Sequence, residues 1–501
     1  MFPNPQDALP IPPCPNPQHY KKRAKELLKA FRSPNPDALR SWCADWLNSL
    51  MRLSAVIAPD TESGVDHSIA DHSIADHWIA DLENFARAKL SPTGSLSAAQ
   101  FVIARAHGFE SWPKFAKHIT VVSRRDSPVS HFELAADAVV SGDLPTLQTL
   151  LREHPNLIRA RSARRHQATL LHYVSANGVE NYRQKTPANI IPIAAFLLHA
   201  GAEVDASADV YGGSTTLGLV ATSSHPERAG VQTALLDLLL HYGASLNAPG
   251  PGIINVCLAN GRAAAAQFLS QRAATLDLEA AAGVGRLDLV KTFFNQKSFK
   301  QRGDLLLSAT NHQMERGFLW ACEYGRVEVV DFLLRSGVSL QARSNTGQTA
   351  LHWAVVGGQL GIVKMLLAAG ADLEAKNTYS ATPLGQALWS VLREPEPEKS
   401  AGQTSDEKKA AEKNTGEDNP GEKELFRKMP VDGQPEAKDS SISRSAPEAG
   451  ESQNFISIIE TLLLAGARIE PGTLAWITQQ KSCSPSLKQR TTELLKRYGA
   501  S

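Results

Sequence analysis

The feature that most constrains this chain is an internal repeat of 33 residues. Ala321 and Ala354 are one step apart, and so are Trp320 and Trp353, Gly325 and Gly358, Leu333 and Leu366, and Gly337 and Gly370. Thr349 and Thr382 repeat the same step. A fixed period of this size means stacked supersecondary units, none of which can bury its apolar face alone.

Each unit can be read physically. Thr349 stands where a helix N-cap belongs, ahead of a short Ala-rich helix closed by Gly357-Gly358. A second helix follows, with Ile362, Val363, Leu366 and Leu367 forming one apolar stripe. Gly370 ends it as a left-handed C-cap. A short extended segment then leads to a turn of the kind formed by Asn345, Thr346 and Gly347. The expected class is all-α, with short β-hairpin fingers between helix pairs.

The stretch GQTALHWAVVGGQLGIVKMLLAAGADLEAKN, from Gly347, resembles an ankyrin repeat. The resemblance implies an α-solenoid with a concave groove. Weaker copies run from Phe132, Ala168, Thr215, Ile254 and Leu278. Others follow Thr382, resume at Phe455 and end in a unit from Pro471 to Ser501, about nine units in all. The array is assigned to residues 130–393 and 454–501.

Residues 394–453 interrupt it with 15 acidic and 9 basic residues and few large apolar ones. Such a composition cannot offset the entropy of ordering, so disorder is expected. The insertion carries a net charge of −6 in a chain whose total is +1, which leaves +7 on the remainder. The whole chain therefore has no strong field to steer it toward nucleic acid or an anionic membrane.

Residues 1–18 are Pro-rich and expected to be extended, and 19–129 form a helical leader. Amphipathic stretches begin at His19 and Ala38, and a pair of helices follows Ser95, divided by Gly108 and Ser111. Leader, array, LGQALW at Leu384 and EPGTLAW at Glu470 together resemble an uncharacterised group of bacterial ankyrin-repeat proteins. That resemblance implies no biochemical activity.

Several patterns suggest chemistry at first sight. Asp66 to Asp81 reads DHSIADHSIADHWIAD, and His and Asp are metal ligands. A period of five nevertheless sets successive His residues about 140° apart on a helix, off any common face. A slipped tandem duplication accounts for it better than a metal site. The Ala104 to Gly108 spacing is similar to that of a helix-turn-helix, with Lys114, Lys117, Arg124 and Arg125 nearby. Pro113 breaks the register of the would-be recognition helix, and a packed cap accounts for the same residues.

No HExxH, GxSxG or P-loop signature is present, and no GxGxxG follows a strand. The five cysteines are scattered, with no CxxC pair, and read as reduced thiols. No apolar run reaches membrane-spanning length, and prolines interrupt the first twenty residues. The expectation is a cytoplasmic, monomeric, non-catalytic protein without cofactor or metal. It binds a protein partner, and neither nucleic acid nor membrane is expected as a partner. The alternatives are an enzyme or metal-dependent module in residues 1–130, or weak DNA binding by the leader.

By the resemblance, residues just before the inter-helix glycine face the groove: Glu323 and Tyr324, Val356 and Gly357, Trp389 and Ser390. Finger positions map to Arg343, Asn345, Thr346 and Gln348, then to Thr378, Tyr379 and Ala381. Ser380 replaces the usual turn glycine of the second finger. His172 and His352 fall in the TxLH slot, where the resemblance implies a structural His. Aromatic and Arg side chains on a rigid surface are the composition of interface hot spots.

Overall fold

The computed structural model describes residues 5–13, 15–57, 68–91, 94–246, 252–273, 276–294, 304–392, 451–480 and 484–500. They fall into two compact units, Met1–Ile253 and Ile254–Ser501.

The N-terminal unit opens with the leader: α1 (Pro17–Phe31), α2 (Ala38–Ile57), α3 (Ser68–Leu90), α4 (Leu96–Ala106) and α5 (Trp112–Val122). Asn16 caps α1, its side chain accepting from the Gln18 amide, and Ser95 caps α4 through the Ala98 amide. Leu27, Trp46, Leu82, Ile103 and Phe115 fill one core. His107 lies inside it, stacked on Phe115 and edge-on to Tyr20. Ala104, Phe115 and Ile119 are buried in this core.

The His/Asp tandem begins outside the described residues. Its backbone from Ser68 onward forms the first turns of α3.

Repeat-like helix pairs follow. The first is α6 (Pro128–Ser141) with α7 (Leu144–Glu153). The next departs from expectation. Its first element is a 3-10 helix, Leu170–Ser175, flanked by further 3-10 turns at Pro155–Arg159 and Asn181–Arg183, before α8 (Ile190–His199). Ala176, in the left-handed region at φ 47°, ends the short helix. Strands β1 (Ser207–Ala208) and β2 (Ser214–Thr215) then form an antiparallel finger, Ser207 opposite Thr215. Next come α9 (Thr216–Thr222), a single extra turn α10 (Ser224–Arg228), and α11 (Gln232–His241).

The C-terminal unit continues the pairing. It holds α12 (Ile253–Ala259) with α13 (Ala263–Ser270), α14 (Leu278–Val284) with α15 (Leu287–Phe293), and α16 (Asp304–Glu323) with α17 (Val327–Arg335). Then come α18 (Ala350–Val356) with α19 (Leu360–Ala368), α20 (Pro383–Leu392) with α21 (Glu451–Leu464), and α22 (Thr473–Gln479) with α23 (Pro485–Arg497).

Period-33 positions share one core. Leu333 and Leu366 are fully buried, as are Ala321 and Ala354, and Ile362 and Val363 join them. Small residues let the first helices approach closely. A β-carbon on Gly357 would stand 2.0 Å from the Glu323 carbonyl oxygen, so no larger residue fits between those two repeats.

The insertion assigned to 394–453 lies outside the described residues except at its end. There α21 begins at Glu451, three positions before the boundary expected at 454. Cys43, Cys257 and Cys322 are buried free thiols.

Candidate functional site

In the C-terminal unit the fingers are built by the sequence that precedes each first helix. Residues 344–348 form a closed turn: Gly347 N donates to Ser344 O and Ser344 N to Gln348 O, both at 2.9 Å. Arg343 and Thr349 form a bridge across its base. Arg343 Nη1 then donates to two carbonyls, Gly347 O in its own finger (2.9 Å) and Lys376 O in the next (3.0 Å). Thr378 N donates to Thr346 O (2.9 Å), a second stitch between neighbouring fingers.

The second finger has a different turn chemistry. Asn377 Oδ1 accepts from Tyr379 N (2.9 Å) and Ala381 N (3.0 Å). Ser380 takes the left-handed conformation, φ 62°, that Gly347 takes in the first finger at 73°. The turn thus survives the loss of glycine, with backbone strain at the serine.

His352 locks the finger to its helix. Its Nδ1 accepts from Thr349 N (3.2 Å), and Nε2 donates to Ala381 O in the next repeat (3.1 Å). Burial lowers its pKa to about 4 against the pull of the Ala381 carbonyl, so the ring is neutral at physiological pH. His172 makes the matching contact to Thr169 N (3.1 Å), and burial holds it at about 4 as well.

At the opposite helix ends, repeats are joined by side chains outside the expected site. Arg326 Nε donates to Gly283 O (2.9 Å), and Gln359 Nε2 donates to Gly357 O (2.8 Å) and Glu323 O (3.4 Å). Arg326 and Gln359 are themselves 33 residues apart, each just after a turn glycine, and that spacing was the available signal. Tyr324 Oη donates to the Leu258 carbonyl. A cavity of about 580 Å³, lined in part by Gln267, Gly285, Arg326 and Val327, opens beside these turns.

The expected site residues therefore separate. Arg343 and Asn345 are exposed on the first finger. Tyr324, Val356, Tyr379 and Trp389 are half-buried. Glu323, 5 % exposed, and Thr346 and Gln348, 9 % each, are buried. The cause for Glu323 is the close approach of Gly357; for Thr346 it is the stitch to Thr378. Lys376, Thr378 and Ser380 extend the exposed finger row.

The N-terminal unit holds a buried ionic network that no sequence pattern announced. Arg164 Nε pairs with Glu180 Oε1 (2.6 Å) and its Nη2 with Glu133 Oε2 (3.2 Å). Arg183 Nη1 pairs with Glu133 Oε2 and its Nη2 with Asp137 Oδ1, both at 2.7 Å. Arg164 Nη2 also donates to Tyr182 Oη (3.1 Å), and His166 Nε2 faces Glu180 Oε1 at 3.3 Å. The side chains of Arg164, Arg183, Glu133 and Glu180 are all less than 10 % exposed.

Burial opposes ionisation of Glu133, yet Arg164 and Arg183 outweigh it and hold the carboxyl at about 2. Glu180 is likewise held well below the usual carboxylate range. Burial drives Asp137 the other way, upward, and Arg183 only partly offsets it. His118 of α5 stands 4.0 Å from Glu133, and burial lowers its pKa to about 4. The network thus fastens α6 to the segment 160–189. Among the described residues, no three His, Cys, Asp or Glu side chains are placed to hold a metal ion. No helix among them is long and apolar enough to cross a membrane.

Residues 278–377 match the family model for ankyrin repeats, in three copies. Two solved structures of similar fold are the human ASB11 ankyrin repeat domain and the ankyrin repeat domain of Bcl-3, described as a unique member of the IkappaB protein family. The first is 19 % identical and covers 50 % of this chain and 90 % of its own, with a TM-score of 0.29. The second is 22 % identical and covers 50 % and 92 %, with a TM-score of 0.26. No curated protein matches the chain.

Proposed function

We propose that the chain, which carries ankyrin repeats in residues 278–377, is a non-catalytic scaffold that binds a partner protein through the finger row of its C-terminal unit. The observation that carries this reading is the stitching of the two fingers. Arg343 Nη1 and Thr378 N tie neighbouring fingers at 3.0 and 2.9 Å, so the exposed Arg343, Asn345 and Thr378 and the half-buried Tyr379 are held in fixed relation. A surface fixed before contact loses little conformational entropy on binding. Half-buried Tyr379 supplies a rigid aromatic anchor with a polar rim around it, the composition of a hot spot.

The test is affinity capture from cell lysate with the wild-type chain and with Asn345→Ala/Tyr379→Ala. The proposal expects at least one protein recovered by the wild type to be lost from the variant. Equal recovery of every captured protein overturns it.

A further inference from the structure

We propose that the finger of residues 207–215 in the N-terminal unit is a docking site for a short peptide turn of a partner protein, and that the chain's own N-terminal segment fills it in cis. The segment from Gln6 to Ile11 has two parts that behave differently. Ala8, Leu9 and Ile11 are buried in the leader core at 4, 1 and 6 % exposure. Leu9 N donates to Ala106 O (2.8 Å), and His107 Nδ1 donates to Leu9 O (2.9 Å). This part is an anchor, inseparable from the leader.

Gln6 and Asp7 are only half-buried and reach the other way, onto the repeats. Gln6 Nε2 donates to Tyr211 Oη (2.6 Å), and Asn181 Nδ2 donates to Asp7 Oδ1 (2.6 Å). Gln184 Nε2 adds a longer contact to Gln6 Oε1 (3.5 Å). The pairing is one of side-chain amides, a carboxylate and a phenol, with no apolar burial to hold it shut.

The receiving side is set up independently of the segment. Tyr211 tops the finger at φ 49°, a conformation that a bulky residue adopts only under strain, with its side chain left partly exposed. Its hydroxyl donates to Asn177 Oδ1 (3.1 Å). Asn177 Nδ2 in turn donates to Leu219 O (3.3 Å) and Thr222 Oγ1 (3.0 Å) in α9. The aromatic ring is thus braced from behind and presents its hydroxyl outward.

The occupant shows the chemistry of a competitor. It is a single 3-10 turn, Pro5–Asp7, opened by proline, and it offers an amide followed by a carboxylate. A partner segment with that order of groups can replace Gln6 and Asp7 while Leu9 stays anchored. Tethering gives the cis segment a high effective concentration, so binding in trans is suppressed until the latch opens. This site lies in the N-terminal unit and is independent of the finger row proposed above.

The test uses the full chain and a fluorescein-labelled peptide with the sequence of residues 3–8, PNPQDA, which stops before the anchor. Fluorescence anisotropy compares wild type with Gln6→Ala/Asp7→Ala. The expected result is binding at least tenfold tighter to the variant, with the gain removed when Tyr211→Phe and Asn181→Ala are added. Equal affinity for wild type and latch variant, or binding to neither, overturns the proposal. Hydrogen exchange in residues 207–215 gives a second readout. Faster exchange in the latch variant supports the cis contact, and unchanged exchange contradicts it.

Discussion

At the scale of single residues, glycine positions and their replacements show how firmly the repeat dictates the backbone. Ser380 holds φ 62° where the preceding finger has Gly347. A side chain in that region costs about 1–2 kcal/mol relative to glycine. Ser380→Gly is therefore expected to stabilise the C-terminal unit by about 1 kcal/mol, read as a higher denaturant midpoint with an unchanged slope. A lower midpoint would mean that the serine side chain contributes more than its backbone strain removes. The sequence made this position visible because a turn glycine was missing from a repeated pattern. It did not make the burial of Glu323 visible, because that depends on how closely Gly357 approaches, a distance and not a residue type.

At the scale of elements, legibility followed periodicity. Helix pairs with the 33-residue step could be read residue by residue, down to the apolar stripe of Ile362, Val363 and Leu366. The segment 155–189 could be read only in part: the weak copy from Ala168 with its His172 was visible, the 3-10 geometry was not. Its central 3-10 helix buries every residue from Leu170 to Ser175 and so shows no one-sided apolar stripe, and its ionic partners, such as Arg183 and Glu133, stand 50 residues apart with no period linking them. Arg164 and Arg183 would pass for solvated surface residues in the sequence. Removing one member of a buried network leaves charges without compensation, at a cost of about 3–5 kcal/mol. Arg183→Met should destabilise the N-terminal unit by that amount in equilibrium unfolding. A loss below about 1 kcal/mol would show that Glu133 and Asp137 find other partners or water.

At the scale of the whole molecule, the two units should respond differently to acid. Burial lowers the pKa of His107 to about 3 and of His118 and His172 to about 4, all in the N-terminal unit. Among the described residues of the C-terminal unit there is one such group, His352, also at about 4. Each histidine is neutral when folded and takes up a proton near pH 6.5 when unfolded. The stability that each contributes is complete above pH 6.5 and falls as pH drops toward the folded value. The slope is about 1.4 kcal/mol per pH unit per histidine. Unfolding followed at pH 7.5 and 5.0 should show the N-terminal unit losing the larger share of stability, and His352→Gln should flatten the response of the C-terminal unit. Equal shifts in both units would contradict the assignment.

The repeats themselves were legible because their physics is local and recurs. The proposed partner surface was legible only in outline. Exposed Arg343 and Asn345 could be placed on a finger, whereas Thr346 and Gln348 were placed there too and proved buried. The central claim is that the C-terminal finger row meets a protein partner. Site-specific photo-crosslinking in cells tests it most directly, with the photoreactive residue at Asn345 on the finger or at Lys364 on the exposed face of α19. The account predicts a discrete protein adduct from position 345 and none from 364. No adduct at 345, or the same adduct from both positions, would contradict it.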